Sequence, residues 1–432
     1  MSDISNTSNK LRYFRIFLLI LGSGVIYPVL YLRQNYQTSI TLIFDMTVQE
    51  LNFLYLILGI MNIIGYVPSG LLADKFSARK LVSLSLFLTG VFGLWFAQIP
   101  DKKFLVFIYI GWGISAVFTF WSALMKGIKL LAKKDEQARI FGFLDGGRGL
   151  IEAILGVIAV SMFAFILGDN TNDEVLTKKA LQSIIYMYSF LCILIAILIF
   201  MFLKEDKKEN IENTNSQNNE NKPVVKRNML EDIKVLLTIK EYWLATAIIF
   251  CGYTIYWTVY YYSGFLTVNH GVTAVMSGYI SVAMLWMRPV GGIGGGMLGD
   301  KIGRTVTISI AMFSGVVLLL LMSLFNSFPI VIYYVLVILT ALIGYALRGL
   351  YWSTLDYCDI PEHILGRAIG LMSMLGYSVD IFIPYIGGRI FSHYNDGPMA
   401  YTAYFLMSAF IGLIGLTVTL ILHFRLKKAS KL

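Results

Sequence analysis

Apolar runs of about twenty residues recur from one end of this 432-residue chain to the other. Twenty helical residues cross the ~30 Å hydrocarbon layer of a bilayer. Inside that layer every backbone amide needs a partner within the chain, which leaves helices or closed barrels as the spanning structures. A barrel would read as short alternating segments rather than continuous runs. The chain therefore reads as an all-α polytopic membrane protein. Charged residues are 14% of it and mean hydropathy is +0.70, where a soluble domain carries about 25% charged residues. Twelve spans are predicted, at 16–36, 50–72, 81–99, 104–125, 140–167, 181–203, 242–266, 275–298, 306–326, 329–353, 368–391 and 400–424.

Between the sixth and seventh spans the hydrophobicity stops. Residues 204–241 contain the Asn-rich, charged stretch ENIENTNSQNNENKP, which has no apolar periodicity and reads as a mobile linker. The MLEDIKVLLTIK segment after it is amphipathic and suits a short helix on the membrane surface. The expected organisation is a six-helix half at 1–203, the linker at 204–241, and a second six-helix half at 242–432. The polar, basic N-terminus shows no small-residue cleavage site and reads as the lead into a retained first helix.

The net charge of +9 does not point to nucleic acid, because the basic residues cluster in short loops beside apolar runs. With both termini and the linker on one face, Arg33, Lys102, Lys103, Lys178 and Lys179 fall on the other, and Arg148, Arg288, Arg348 and Arg389 fall within spans. Those nine leave 26 of the 35 basic residues on the terminal face, which makes that face cytoplasmic by the positive-inside rule. Cys192, Cys251 and Cys358 are scattered in apolar context, and the four histidines are dispersed, so neither a disulfide framework nor a metal site nor a cofactor is expected.

The two halves echo one another. GLLADKFSARK at 70–80 returns as GMLGDKIGRTV at 296–306. Phe120-Trp121-Ser122-Ala123-Leu124 is similar to Tyr351-Trp352-Ser353-Thr354-Leu355, and Ala138-Arg139-Ile140-Phe141-Gly142 to Gly366-Arg367-Ala368-Ile369-Gly370. Three matches in one order and at nearly one offset indicate a duplicated unit, and parallel repeats place a solute site at their interface near the midplane.

On these residues the chain resembles the major facilitator superfamily over nearly its full length. Gly70, Asp74, Lys75, Arg79 and Lys80 fit the family's loop between helices 2 and 3, while Ser77 stands where Gly is usual and implies a looser turn. The second copy supplies Asp300, Gly303 and Arg304. The resemblance implies a gating role for these loops, with the aspartate stabilising an outward-facing state; the plainer reading is that the charges only fix topology. A weaker likeness to the organophosphate:phosphate antiporters rests on YPVLYLRQNY, with Tyr27, Tyr31, Arg33, Asn35 and Tyr36, and on Trp121 followed by Lys126. It implies that Arg33 binds substrate. The arginine which that branch carries in helix 7 is missing here, and Arg33 also suits an interfacial anchor that snorkels outward.

Charges within spans are costly and usually functional. Asp145, Arg148 and Glu152 share one face of helix 5, and Asp380 in helix 11 is the repeat mate of Glu152. These four read as a coupling group, or as a structural ion pair in the case of Glu152 with Arg148. Arg288 and Arg348 are candidate anion ligands, since a guanidinium matches carboxylate or phosphate; Arg389 reads as structural. In helix 7, Tyr253, Tyr256, Trp257, Tyr260 and Tyr261 recur at helical spacing, which predicts one aromatic face that lines a pathway or packs at an interface. The function expected is secondary active transport of a small organic anion (an organic acid or organophosphate) by a monomer in the plasma membrane, or the inner membrane of a bacterium, with proton coupling or anion exchange. A neutral or zwitterionic solute, a sugar or an amino acid, and a non-transporting receptor are the alternatives. No enzyme motif stands in the sequence.

Overall fold

The computed structural model describes residues 2–132, 137–168, 173–203, 235–325, 327–360 and 364–430. The core of the predicted linker lies outside them, as does the first half of the predicted surface helix. Helices make up the described chain. In the first set these are α1 (Ser2–Leu30), α2 (Arg33–Ile43), α3 (Val48–Lys75), α4 (Ala78–Ala97), α5 (Lys102–Gly113), α6 (Ser122–Leu131), α7 (Gln137–Leu167) and α8 (Glu174–Phe202). In the second set they are α9 (Lys240–Trp257), α10 (Tyr262–His270), α11 (Ala274–Ile302), α12 (Arg304–Leu324), α13 (Ile330–Leu350), α14 (Leu365–Gly376), α15 (Val379–His393) and α16 (Pro398–Lys428).

Eleven of the helical segments among the described residues are long and apolar enough to cross a membrane. The predicted eighth span is not among them, although α11 is 29 residues long. Its sequence is glycine-rich and carries Arg288, Asp300 and Lys301, so its apolar content is diluted by residues that serve packing and charge. Large apolar side chains such as Phe107, Phe165, Phe313, Phe410 and Phe424 point outward, where acyl chains replace water as their solvent.

Several predicted spans are broken rather than continuous. The first is split at Tyr31–Leu32, three residues beyond Pro28, and Tyr36 is itself non-helical. The fourth joins α5 to α6 through a π-helical stretch, Ile114–Trp121. The seventh tightens to a 3-10 turn at Thr258–Tyr260 before α10. There the β-branched and aromatic run favours helix weakly, and the Thr258 hydroxyl donates back to the Ile255 carbonyl at 2.6 Å, which bends the helix. The eleventh breaks at Tyr377–Ser378, where the Ser378 hydroxyl donates to the Leu375 carbonyl at 2.6 Å. Broken helices at membrane depth are tolerated where the freed backbone lines a cavity or is buried in protein.

The two sets meet mainly through α3 against α15 and α7 against α11. A Cβ on Gly59 would lie 2.2 Å from the Asp380 carbonyl oxygen, so the α3–α15 crossing requires glycine. Polar ties across the sets gather at the face remote from the chain termini. The Gln37 amide donates to the Tyr401 hydroxyl at 2.7 Å, the Ser263 hydroxyl to the Asn35 carbonyl at 3.2 Å, and the Val48 amide to the Asp396 carboxylate at 2.9 Å. At the termini face, Arg15 donates to the Phe202 carbonyl and Arg425 pairs with Glu241, each within its own set.

The turn between α3 and α4 corrects the expectation of looseness at Ser77. Its backbone is extended (φ −70°, ψ 144°), so glycine is not needed, and its hydroxyl accepts from the Lys80 amide as an N-cap. The second copy does require its glycine, because Gly303 has φ +96°.

Candidate functional site

The helix breaks surround a cavity of about 430 Å³ between the two sets. The first set contributes Tyr27 and Tyr31, Trp121 from the end of the π-helical stretch, and Arg148 and Glu152 from α7. The second contributes Tyr253, Tyr256 and Tyr260, Arg288, Tyr345 and Arg348, and Trp352, Tyr377 and Asp380. Three guanidinia therefore face two carboxylates among rings. Tyr31 stacks on Tyr260 across the sets with centroids 5.3 Å apart, on the side of the cavity toward the remote face.

The charges are not equivalent. Glu152 is held twice: its Oε1 lies 3.2 Å from Arg148 Nε and its Oε2 lies 2.6 Å from Arg288 Nη1. The expected pair within helix 5 is thus a bridge from α7 to α11, with side-chain exposures near a tenth. Arg148 also lies over the Tyr27 ring at 4.9 Å. Arg348, in the last turn of α13, sits over Tyr256 at 4.8 Å, and no ion pair engages it among the described residues. Asp380, in the first turn of α15, accepts from the Trp257 indole at 2.7 Å. Each charge has the sign that its helix end favours.

The tyrosine strip is corrected by the break in the seventh span. Tyr253, Tyr256 and Tyr260 line the cavity, but Trp257 turns to Asp380 and does not line it. Tyr261 turns to the remote face, where its hydroxyl donates to Asn52 Oδ1 at 2.9 Å. Arg33 also lies there and not in the cavity. It is fully buried, donates to Asn52 Oδ1 at 2.6 Å and Gln37 Oε1 at 3.1 Å, and lies over Tyr261 at 4.3 Å. That burial also excludes the snorkelling anchor.

The Asp145 and Asp74 side chains lie outside the described residues; their backbones belong to α7 and α3. Gly70 sits in open space, Lys75 ends α3, and Arg79 lies over the Phe200 ring at 4.4 Å. Lys126 donates to the Ala73 carbonyl at 2.6 Å, so it caps the end of α3 rather than reaching the cavity. In the second loop Arg304 pairs with Asp356 and bonds the Ser353 carbonyl at 3.2 Å, while Asp300 is exposed. Sequence reasoning missed Tyr27, Tyr345, Trp352, Tyr377 and Asn62 as cavity residues. The repeat match of Trp121 with Trp352 was the available signal for one of them.

Residues 13–384 match the family model of the Major Facilitator Superfamily. The chain belongs to this family. Among curated proteins, this superfamily member is 30% identical over 400 residues to inner membrane protein YqcE of Escherichia coli strain K12, covering 91% of this chain and 89% of the relative. It is 23% identical to inner membrane protein YihN of the same strain, with 98% of each chain covered. Among solved structures it superposes on the nucleoside transporter NupG with a TM-score of 0.72 at 10% identity, covering 96% of this chain and 99% of that one. It also superposes on a bacterial homologue of the human lysosomal transporter Spinster, in an inward-facing and occupied conformation, with a TM-score of 0.67 at 12% identity and 97% of each chain. These likenesses establish the superfamily fold.

Proposed function

We propose that this chain is a secondary active transporter of a small organic solute bearing one anionic group, working by alternating access between its two six-helix sets. The observation that carries this reading is Arg348: a guanidinium in the cavity wall that has no carboxylate partner among the described residues, while Arg148 and Arg288 share Glu152. A planar fork of donors in a half-buried aromatic cavity suits a carboxylate or phosphate. The tyrosine and tryptophan rings offer apolar faces with hydrogen-bonding rims for the rest of the solute. Termini in the cytoplasm agree with the basic loops, and the ties at the opposite face then correspond to a cavity closed to the outside. Asp380, a cavity carboxylate with an indole donor, is the candidate proton site.

Asp380 also favours a second reading, since one cavity carboxylate and one guanidinium with no ion pair among the described residues match a zwitterion such as an amino acid. A thermal-shift screen against organic acids, phosphorylated metabolites, amino acids and sugars separates the two. Uptake of the hits into proteoliposomes, with and without a proton gradient, then tests transport. Arg348→Gln should abolish uptake and leave the folded protein intact, and Arg389→Gln should not. Uptake unchanged in Arg348→Gln refutes the anion site.

A further inference from the structure

Glu152 occupies an unusual position for a buried carboxylate. It does not neutralise one neighbour but sits between two guanidinia that come from different sets of helices. Its two oxygens are both engaged, at 3.2 Å and 2.6 Å, and all three side chains still border the cavity. Gly149 leaves the space that Arg288 needs to reach across, since a Cβ there would lie 3.2 Å from Arg288 Cδ. Around this triad α7 and α11 are packed closely: a Cβ on Gly156 would touch Val282 at 3.0 Å, and one on Gly278 would touch Val160 at 3.1 Å. The carboxylate therefore fills a place built for an anion, at one side of a cavity whose other cation, Arg348, lies over the Tyr256 ring and has no carboxylate in ion-pair contact among the described residues.

We propose that Glu152 is a built-in counter-ion that sets the charge of the accepted solute: it takes the Arg148–Arg288 anion site for the protein itself and restricts the solute to a single anionic group, held at Arg348. This rests on the reading of the cavity as the solute site. A solute with a second anionic group must meet a carboxylate where it needs a cation, and the cost of like charges in a half-buried site excludes it. Removing the Glu152 charge leaves Arg148 and Arg288 without that carboxylate, and the second anionic group of a ligand can take the place it held between them. Glu152 is thus a specificity-determining residue and touches the solute only if a second anionic group is present.

The test uses the purified full-length protein and its Glu152→Gln and Glu152→Asp variants. Binding is measured by calorimetry and thermal shift for matched mono- and dicarboxylates of two to six carbons, including gluconate against glucarate. The wild type should favour the monocarboxylate of each pair. Glu152→Gln should move the mono-to-dicarboxylate affinity ratio toward the dicarboxylate by about tenfold or more, and Glu152→Asp should retain the wild-type preference. A ratio unchanged in Glu152→Gln, or a wild type that already favours dicarboxylates, overturns the proposal. Arg348→Gln reports separately on the underlying reading: if monocarboxylate binding survives it, the anion site is not at Arg348 whatever Glu152 does. Absence of binding by every probe to wild type and variants overturns both. If Glu152→Gln fails to fold, Glu152→Asp and Arg288→Gln carry the comparison, since Arg288→Gln should weaken any residual dicarboxylate binding without inverting the preference.

Discussion

Replacing Gly59 by alanine should shift the balance between conformations rather than unfold the protein. The added Cβ would sit 2.2 Å from the Asp380 carbonyl oxygen and 2.7 Å from its carbon. The shorter distance is about 1.2 Å inside ordinary van der Waals contact. The obstacle is backbone, which cannot rotate away as a side chain does. Over-packing of this kind costs typically ~1–3 kcal/mol. Gly59 lies on α3 and Asp380 on α15, in opposite sets, so the strain exists only while the sets are pressed together at this crossing. A state in which they part there escapes it, and a cost of about 2 kcal/mol moves the ratio of the two states by roughly 30-fold. Labels at Lys103→Cys and Ser327→Cys, both exposed at the remote face, would report the change as a longer interlabel distance by pulsed electron resonance. The native cysteines are buried and should not take label. Gly59→Val should shift the distribution further. A distribution identical to wild type in protein of wild-type melting temperature refutes the argument.

Asn52→Ala should lower the melting temperature, because it strands two buried donors, Arg33 and Tyr261, that both use Asn52 Oδ1; each unsatisfied group costs about 1–3 kcal/mol, and an unchanged melting curve would contradict this. Gly303→Ala should destabilise the turn between α11 and α12, since φ +96° strains any side-chain-bearing residue by about 1–3 kcal/mol; hydrogen exchange of the flanking amides should rise there and not in the turn at Ser77. Asp396 should make closure of the remote face depend on pH. Burial raises its carboxyl above the ordinary aspartate range, the Val48 amide opposes this and Glu50 adds to it. With the pKa raised in the closed form, the contribution of Asp396 to closure is greatest at acid pH and is lost as pH rises through that value. The interlabel distance should therefore lengthen as pH rises above the ordinary aspartate range, and Asp396→Asn should flatten the profile; a pH-independent wild type contradicts it.

Part of the site was legible in sequence for a physical reason. A charge inside an apolar run is too costly to be incidental, so Arg148, Glu152, Arg288, Arg348 and Asp380 could be singled out, and all five border the cavity. Arg33 satisfied the same criterion and lies elsewhere, because neutral amide oxygens and two rings bury it at the remote face. Nothing in a one-dimensional pattern separates a cation held by Asn52 and Gln37 from one awaiting a solute. The tyrosine strip failed differently. Regular helical spacing does not continue through Thr258–Tyr260, and one tightened turn sends Tyr261 to the remote face.

The sequence by itself determined the fold class, because the bilayer requires every spanning segment to satisfy its own backbone and so imprints length and hydropathy on it. It also carries matched loops and matched tryptophans in its two halves. Only the tertiary structure decided where the helices break, that Glu152 joins α7 to α11, and that Arg348 is the cation without a carboxylate partner among the described residues. Those outcomes depend on which side chains of distant segments come within a few ångströms of each other, and periodicity along one chain holds no record of that.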